Sequence, residues 1–117
     1  MTTSRMRRVN AAVREVLSGH IAGDLKDPRI GFVTVTGVET SPDLRHARVY
    51  VSVLGSNDER RAALDGLRSS AGFLQAKVGE ELRMKRTPTL AFEYDDSIDR
   101  GMRISELLDK EESGEWG

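Results

Sequence analysis

Ala47, Val49, Val51 and Val53 alternate without interruption with Arg48, Tyr50 and Ser52. A period of two defines a β-strand with one apolar and one polar face, and such a strand belongs in a sheet covered on a single side. The rest of the chain must supply that cover. Met6, Val9, Val13, Val16, Leu17 and Ile21 follow a helical period behind Ser4, a good N-cap, and Gly23 is a natural stop. Lys26-Asp27-Pro28-Arg29-Ile30-Gly31 carries turn chemistry, because Pro28 fixes its own φ and drives Asp27 out of the helical region. Phe32 to Val38, rich in β-branched residues, predicts a first strand, and Thr40-Ser41-Pro42-Asp43 predicts the connection to the second.

Ser56 or Asn57 can cap a second helix with Ala63, Leu64, Leu67 and Ala71 on one face. Gly72 interrupts that pattern, and Leu74, Val78 and Leu82 restart an i, i+4, i+8 row at once. The spacing predicts two helices meeting at a bend in Ser70-Ala71-Gly72. Leu90, Phe92 and Tyr94 alternate as a third strand after Pro88, with Phe73, Phe92 and Tyr94 expected in the core. Ser97 can cap a last short helix with Ile98, Met102 and Leu108. The expected order is α-β-β-α-α-β, an α+β domain over residues 4–108 with helices on one face of a three-stranded sheet. Residues 109–117 form an acidic tail expected to be disordered.

With 117 residues and no cysteine, the chain suits one domain with its own core and has no disulfide or cysteine metal site. No run reaches the roughly 18 apolar residues of a membrane span, and Met1 to Asn10 lacks the apolar stretch of a signal peptide. The expected location is the cytoplasm. The net charge of −1 hides an asymmetry: residues 1–88 hold 15 Lys/Arg against 10 Asp/Glu, and residues 89–117 hold 3 against 9. A basic body precedes an acidic end, so the overall charge does not exclude an anionic partner.

Catalytic constellations are weak. His20 falls within the apolar stripe of the first helix and reads as a partly buried packing residue, and His46 reads as a surface residue at a strand start. Glu93, Asp95, Asp96 and Asp99 could gather around a magnesium ion for phosphoryl chemistry, with Asp95 and Asp99 as the reacting pair. Carboxylates at that place also complement the dipole of a following helix. No phosphate-cradling glycine motif is present. The expectation is therefore no enzyme, no cofactor and no metal.

Basic residues are grouped: Arg5, Arg7, Arg8 and Arg14 on the first helix, Arg61 and Arg68 on the second, and Arg83, Lys85 and Arg86 after the third. The bend adds unpartnered amides at a helix start, where an anion can bind, and small residues that allow close approach of a nucleic-acid backbone. Exposed aromatics are few, so RNA binding would rest on shape and backbone rather than stacking. The predicted RNA-binding set is Arg7, Arg8, Arg14, Arg61, Arg68, Ser70, Ala71, Gly72, Arg83, Lys85 and Arg86. The alternative is a protein-interaction module that pairs an exposed sheet edge with a partner strand.

Several segments, taken in this order, resemble bacterial ribosome-binding factor A, a small-subunit assembly factor. They are Lys26-Asp27-Pro28-Arg29-Ile30-Gly31, Val33-Thr34-Val35-Thr36, Asp43-Leu44, Val49-Tyr50-Val51-Ser52, Ala71-Gly72-Phe73, Arg86-Thr87-Pro88 and Gly101-Met102-Arg103-Ile104. The resemblance runs from about Arg5 to Leu108 and implies a type II KH-like fold. Ordinary KH domains clamp RNA with a G-x-x-G loop, which is missing here. The family is known instead for an alanine-x-glycine kink, matched by Ser70-Ala71-Gly72 with serine in the alanine's place. The resemblance further implies a non-catalytic monomer that binds the free small ribosomal subunit and its ribosomal RNA, alongside other assembly factors. It also implies support of late maturation, 5′-end processing of the RNA and growth in the cold. Some members carry longer C-terminal tails than the one after Lys110.

Overall fold

The computed structural model describes residues 4–97. Its elements are α1 (Ser4–Gly23), β1 (Val33–Thr40), β2 (His46–Val53), α2 (Asn57–Ser69), α3 (Ala71–Leu82) and β3 (Thr89–Tyr94), in the expected α-β-β-α-α-β order. The expected helix holding Ile98, Met102 and Leu108 and the tail over 109–117 lie outside the described residues. The sheet order is β1-β2-β3, with β1 antiparallel and β3 parallel to β2. A parallel pair needs a long crossover, and α2 with α3 provides it.

All three helices contribute to the core. Val13, Leu17 and Ile21 of α1, Ala63 and Leu67 of α2, and Leu74 and Val78 of α3 are buried together with Ala47, Val49, Val51 and Val53 of β2 and Leu90 and Phe92 of β3. The opposite face carries Thr34, Arg48 and Glu93, all exposed. Arg48 lies 3.7 Å from Glu93 across the two strands. Phe73 departs from expectation. It stays 43% exposed, because Leu74 and Val78 define the inward row of α3 and a neighbour one position away is rotated about 100° from it.

The first strand also differs from its expected limits. It starts after Phe32, which is 82% exposed, and continues to the buried Thr40. Val33 and Val35 face Val53 and Val51, but the pairing then slips, so that Val38 and Thr40 face Val49 and Ala47. The slip is a bulge at Thr36, and one extra residue is what keeps both odd-numbered and later even-numbered side chains on the helix-covered face. The Thr36 hydroxyl donates to Asp95 Oδ2 at 2.6 Å, which ties the bulge to the end of β3.

The β3 edge is blunted, and the β1 edge is occupied at its last residue. On β3 the Leu90 amide donates to Gln75 Oε1 at 3.2 Å, and Arg68 Nη2 donates to the Phe92 carbonyl at 3.1 Å. On β1 the Thr40 amide donates to Asn10 Oδ1 at 3.0 Å. Edge groups occupied by helix side chains are poor templates for a partner strand, and this weighs against the edge-pairing alternative.

Two connections are held by close packing on glycine. Asp27 accepts from the Arg29 amide at 2.9 Å and from its guanidinium at 2.6 Å, which holds the Asp27 carboxyl below its usual range. This closed turn lays Ile30 on Gly66 of α2, where an added Cβ would lie 2.7 Å from Ile30 Cγ1. Likewise Gly79 of α3 makes room for the Thr87 hydroxyl, setting the course of the chain from α3 into β3.

At the other end of the crossover, Ser56 caps α2 through a reciprocal pair: the Glu59 amide donates to Ser56 Oγ, and Glu59 Oε1 accepts from the Ser56 amide, both at 3.2 Å. The bend between α2 and α3 is centred on Ser70, with φ −95° and ψ 2°. Its amide closes α2 onto Gly66 and Leu67, and its carbonyl accepts from Leu74 to open α3. Gly72 lies inside α3, exposed, and a Cβ added there would touch nothing.

Candidate nucleic-acid interface

Where the N-terminal end of α1, the Ser41–Arg45 turn and the segment after α3 converge, they enclose an open groove of about 550 Å³. Its floor is apolar, made by Val9, Leu44, Leu82 and Met84. Its rim is cationic, with Arg5 from α1, Arg45 from the β1-β2 turn, and Arg83, Lys85 and Arg86 from the segment leading into β3. Asp43 is the one carboxylate among the described lining residues, and it sits 3.8 Å from Arg45. Among the described residues Arg5, Arg83, Lys85 and Arg86 form no ion pair. Five cations around one concavity focus a positive potential outward, whatever the net charge of the chain.

Backbone strain is concentrated in the same place. Leu44 and Arg83, at φ 60° and 50°, are the non-glycine residues with positive φ among those described, and both line the groove. Each such residue costs roughly 1–2 kcal/mol relative to ordinary geometry. The surroundings enforce it. Ser41 Oγ donates to Asp43 at 2.6 Å, the Arg45 amide donates to the same carboxylate at 3.0 Å, and the Leu44 amide donates to the Ser41 carbonyl at 2.9 Å. Arg83 ends α3, with the Met84 amide reaching back to the Gly79 carbonyl at 3.1 Å.

The other residues predicted for RNA binding fall elsewhere. Arg8 flanks the groove beside Val9, Ala12, Leu82 and Met84. Arg7 and Arg14 are exposed and, seven residues apart, share the other flank of α1, the side on which Asn10 reaches β1. Arg61 is 3.1 Å from Asp58. Arg68 is committed to the Phe92 carbonyl and lies 3.9 Å from Asp65. Ser70, Ala71 and Gly72 lie at the opposite end of α3 from Arg83, about 18 Å away at 1.5 Å per residue. The bend and the basic cluster are thus two ends of one helix rather than one patch. No acidic residue occupies the first turn of α3, and no side chain caps it. Neither Arg5 nor Arg45 is in the set predicted for RNA binding: Arg5 is grouped with the cations of the first helix but left out of that set, and Arg45 is an isolated loop cation almost forty positions from Arg83 that only the fold brings beside it.

The enzymatic alternatives find little support in the geometry. His20 is 18% exposed, with Nδ1 held by Asp24 and Nε2 by Glu81, and its ring meets Phe73 edge-on at 6.2 Å between centroids. Both nitrogens are engaged, so the ring acts as a clasp between α1 and α3 rather than a free base. Hydrogen bonding to Glu81, then to Asp24, raises its pKa above 6.5. A histidine with a raised folded pKa adds stability that is complete below the unfolded value and disappears as pH rises through the folded one. The denaturation midpoint of His20→Gln should therefore fall furthest below wild type at pH below 6.5 and approach it as pH rises through the raised folded pKa. A gap independent of pH would contradict the clasp. Of the carboxylates considered for a metal, Asp95 accepts from Thr36 and from the Ser97 amide, Glu93 pairs with Arg48 on the open face, and Asp99 lies outside the described residues.

A three-helix layer on one side of a β1-β2-β3 sheet, with a two-helix crossover bent at a small-residue junction, is the type II KH-like class of α+β domain. Solved proteins of the same shape include the crystal structure of ribosome-binding factor A from Thermus thermophilus, at TM-score 0.69 and 29% identity over 76% of this chain and 93% of that one. A homology model of the Thermus thermophilus ribosome-binding factor A, fitted into a cryo-electron-microscopy map of a 30S complex, has the same shape at TM-score 0.63 and 30% identity over 74% of this chain and 91% of that one. The family model for ribosome-binding factor A matches residues 5–108. The ribosome-binding factor A of Geobacter metallireducens is 48% identical over 97% of this chain and 96% of its own length. That of Halothermothrix orenii is 44% identical over 94% and 90%. The chain belongs to the ribosome-binding factor A family.

Proposed function

We propose that this chain is a non-catalytic assembly factor that binds the free small ribosomal subunit, with ribosomal RNA phosphates seated on the rim formed by Arg5, Arg45, Arg83, Lys85 and Arg86. The observation that carries this reading is a cluster of cations mostly without carboxylate partners among the described residues, on strained backbone, in a family whose Thermus member has been fitted as a homology model into the map of a 30S complex. In this role it acts in the cytoplasm as a monomer, supporting late maturation, 5′-end processing of the ribosomal RNA and growth in the cold. Co-sedimentation with purified small subunits across a salt series tests it. Five neutralised phosphates give a slope of about −3.5 in log K against log salt, using the single-strand coefficient. Absent or salt-independent binding would overturn it.

The start of α3 forms a second, smaller contact. Gly72 costs helix stability and fills no internal packing need, so its openness suits close approach of an RNA phosphate to the free amides there. Gly72→Ala should raise stability by about 0.5–1 kcal/mol while weakening subunit binding on the order of fivefold. Equal or tighter binding would remove the bend from the interface.

A further inference from the structure

Phosphate binding accounts for the rim of the groove but not for its floor. Leu44 is held half-buried in a left-handed conformation by the hydrogen bonds of its turn, yet it is not among the side chains packed against the hydrophobic core. Among the described residues neither the core nor a phosphate contact accounts for this strained apolar side chain. Val9, Leu82 and Met84, which do rest on the core, line the same space. The result is a slot with aliphatic walls beneath a cationic rim. Its volume of about 550 Å³ lies within the usual span for small organic ligands, roughly 300–1,000 Å³.

We infer that this groove receives one unstacked nucleotide of a single-stranded RNA segment, its base against Leu44 and Met84 and its flanking phosphates on Arg83, Lys85 and Arg86. The inference rests on the RNA-binding reading above and deepens it. A duplex would offer the rim its phosphates but leave the apolar slot facing water, because paired bases stay stacked. A splayed base fills the slot and buries apolar surface on both partners, whereas a purely electrostatic interface would have no use for Leu44. Charge fits the same ligand: five cations face a nucleotide and its neighbours, against Asp43 as the one carboxylate among the described lining residues.

The test compares the full chain binding two probes of equal length and charge, an oligoadenylate of six nucleotides and a six-unit ribose-phosphate oligomer lacking bases. The oligoadenylate should bind about tenfold more tightly, the gain expected from burying one base face. Leu44→Gly suits the positive φ and removes the side chain, so it should fold normally and lower oligoadenylate affinity to that of the abasic probe. Its salt slope should stay as in wild type. Met84→Gln, which keeps the volume of the side chain, should reduce the same difference. Equal affinity of the two probes for the wild-type chain, with steep salt dependence, would overturn the nucleotide slot and leave the phosphate interface standing. Failure of both probes to bind at low salt would overturn both readings. Unchanged oligoadenylate affinity in both variants would likewise place the base elsewhere.

Discussion

Replacing Arg83, Lys85 and Arg86 together with glutamate should lower affinity for the small subunit by at least about two orders of magnitude, taking roughly 1 kcal/mol for each lost charged contact. The salt slope should fall from about −3.5 to about −1.4, the value for the two rim cations that remain. The fold should tolerate the change. All three side chains are exposed and form no ion pair among the described residues; glutamate bears the same left-handed cost as Arg83, and a carboxylate at the C-terminal end of α3 adds roughly 0.3–1 kcal/mol against the helix dipole. Co-sedimentation gives the affinity, and urea denaturation of the same sample separates lost binding from lost structure. Near wild-type affinity in the folded variant would mean that the rim is not the contact.

The largest effect on stability is expected at Phe92, the largest fully buried side chain, which lies between the sheet and the crossover helices. Phe92→Ala removes an aromatic ring from a packed core and should cost about 3–5 kcal/mol. Domains of this size are stable by roughly 5–15 kcal/mol, so the variant would lose a large fraction of its margin. The urea midpoint should drop by about 2 M if the denaturant dependence stays near 2 kcal/mol per molar. Its backbone carbonyl also anchors Arg68 at 3.1 Å, so the shift should be accompanied by faster amide exchange along β3. A small shift would mean that β3 is not the central packing partner of α2 and α3.

Much of this architecture was legible in side-chain periodicity because burial is what imposes period. Val13, Leu17 and Ile21 mark α1, and the alternation through β2 marks its buried face, as the structure finds them. The order of elements places two helices between β2 and β3, and that β3 runs parallel to β2 is what the structure adds. The bulge at Thr36 was harder to see, since β-branched residues fill Val33 to Thr36 without distinguishing the faces. Only the change of apolar parity from Val35 to Val38 hints at it. Phe73 reads as core because aromatics usually are, but the neighbouring inward row belongs to Leu74 and Val78.

The candidate interface was legible in pieces. Arg83, Lys85 and Arg86 stand out as a local cluster, and the bend stands out as small residues between two apolar rows. That these lie at opposite ends of α3 depends on where one helix stops and the next begins, which the backbone turn at Ser70 decides. Arg45 and Leu44 join the cluster only through the folding of the β1-β2 turn. The left-handed backbone at Leu44 and Arg83 has no glycine to announce it. Arg68 reads as a surface cation until the position of the Phe92 carbonyl is known.

The central claim, that the groove and not the open face of the sheet meets ribosomal RNA, is tested most directly by placing a photo-activatable crosslinker at two positions of the subunit-bound protein. One replaces Lys85 on the rim, and the other replaces the exposed Thr34 on the uncovered sheet face. Crosslinks from position 85 to small-subunit RNA, with few or none from position 34, are the predicted result. RNA crosslinks from position 34 with none from position 85 would contradict the account.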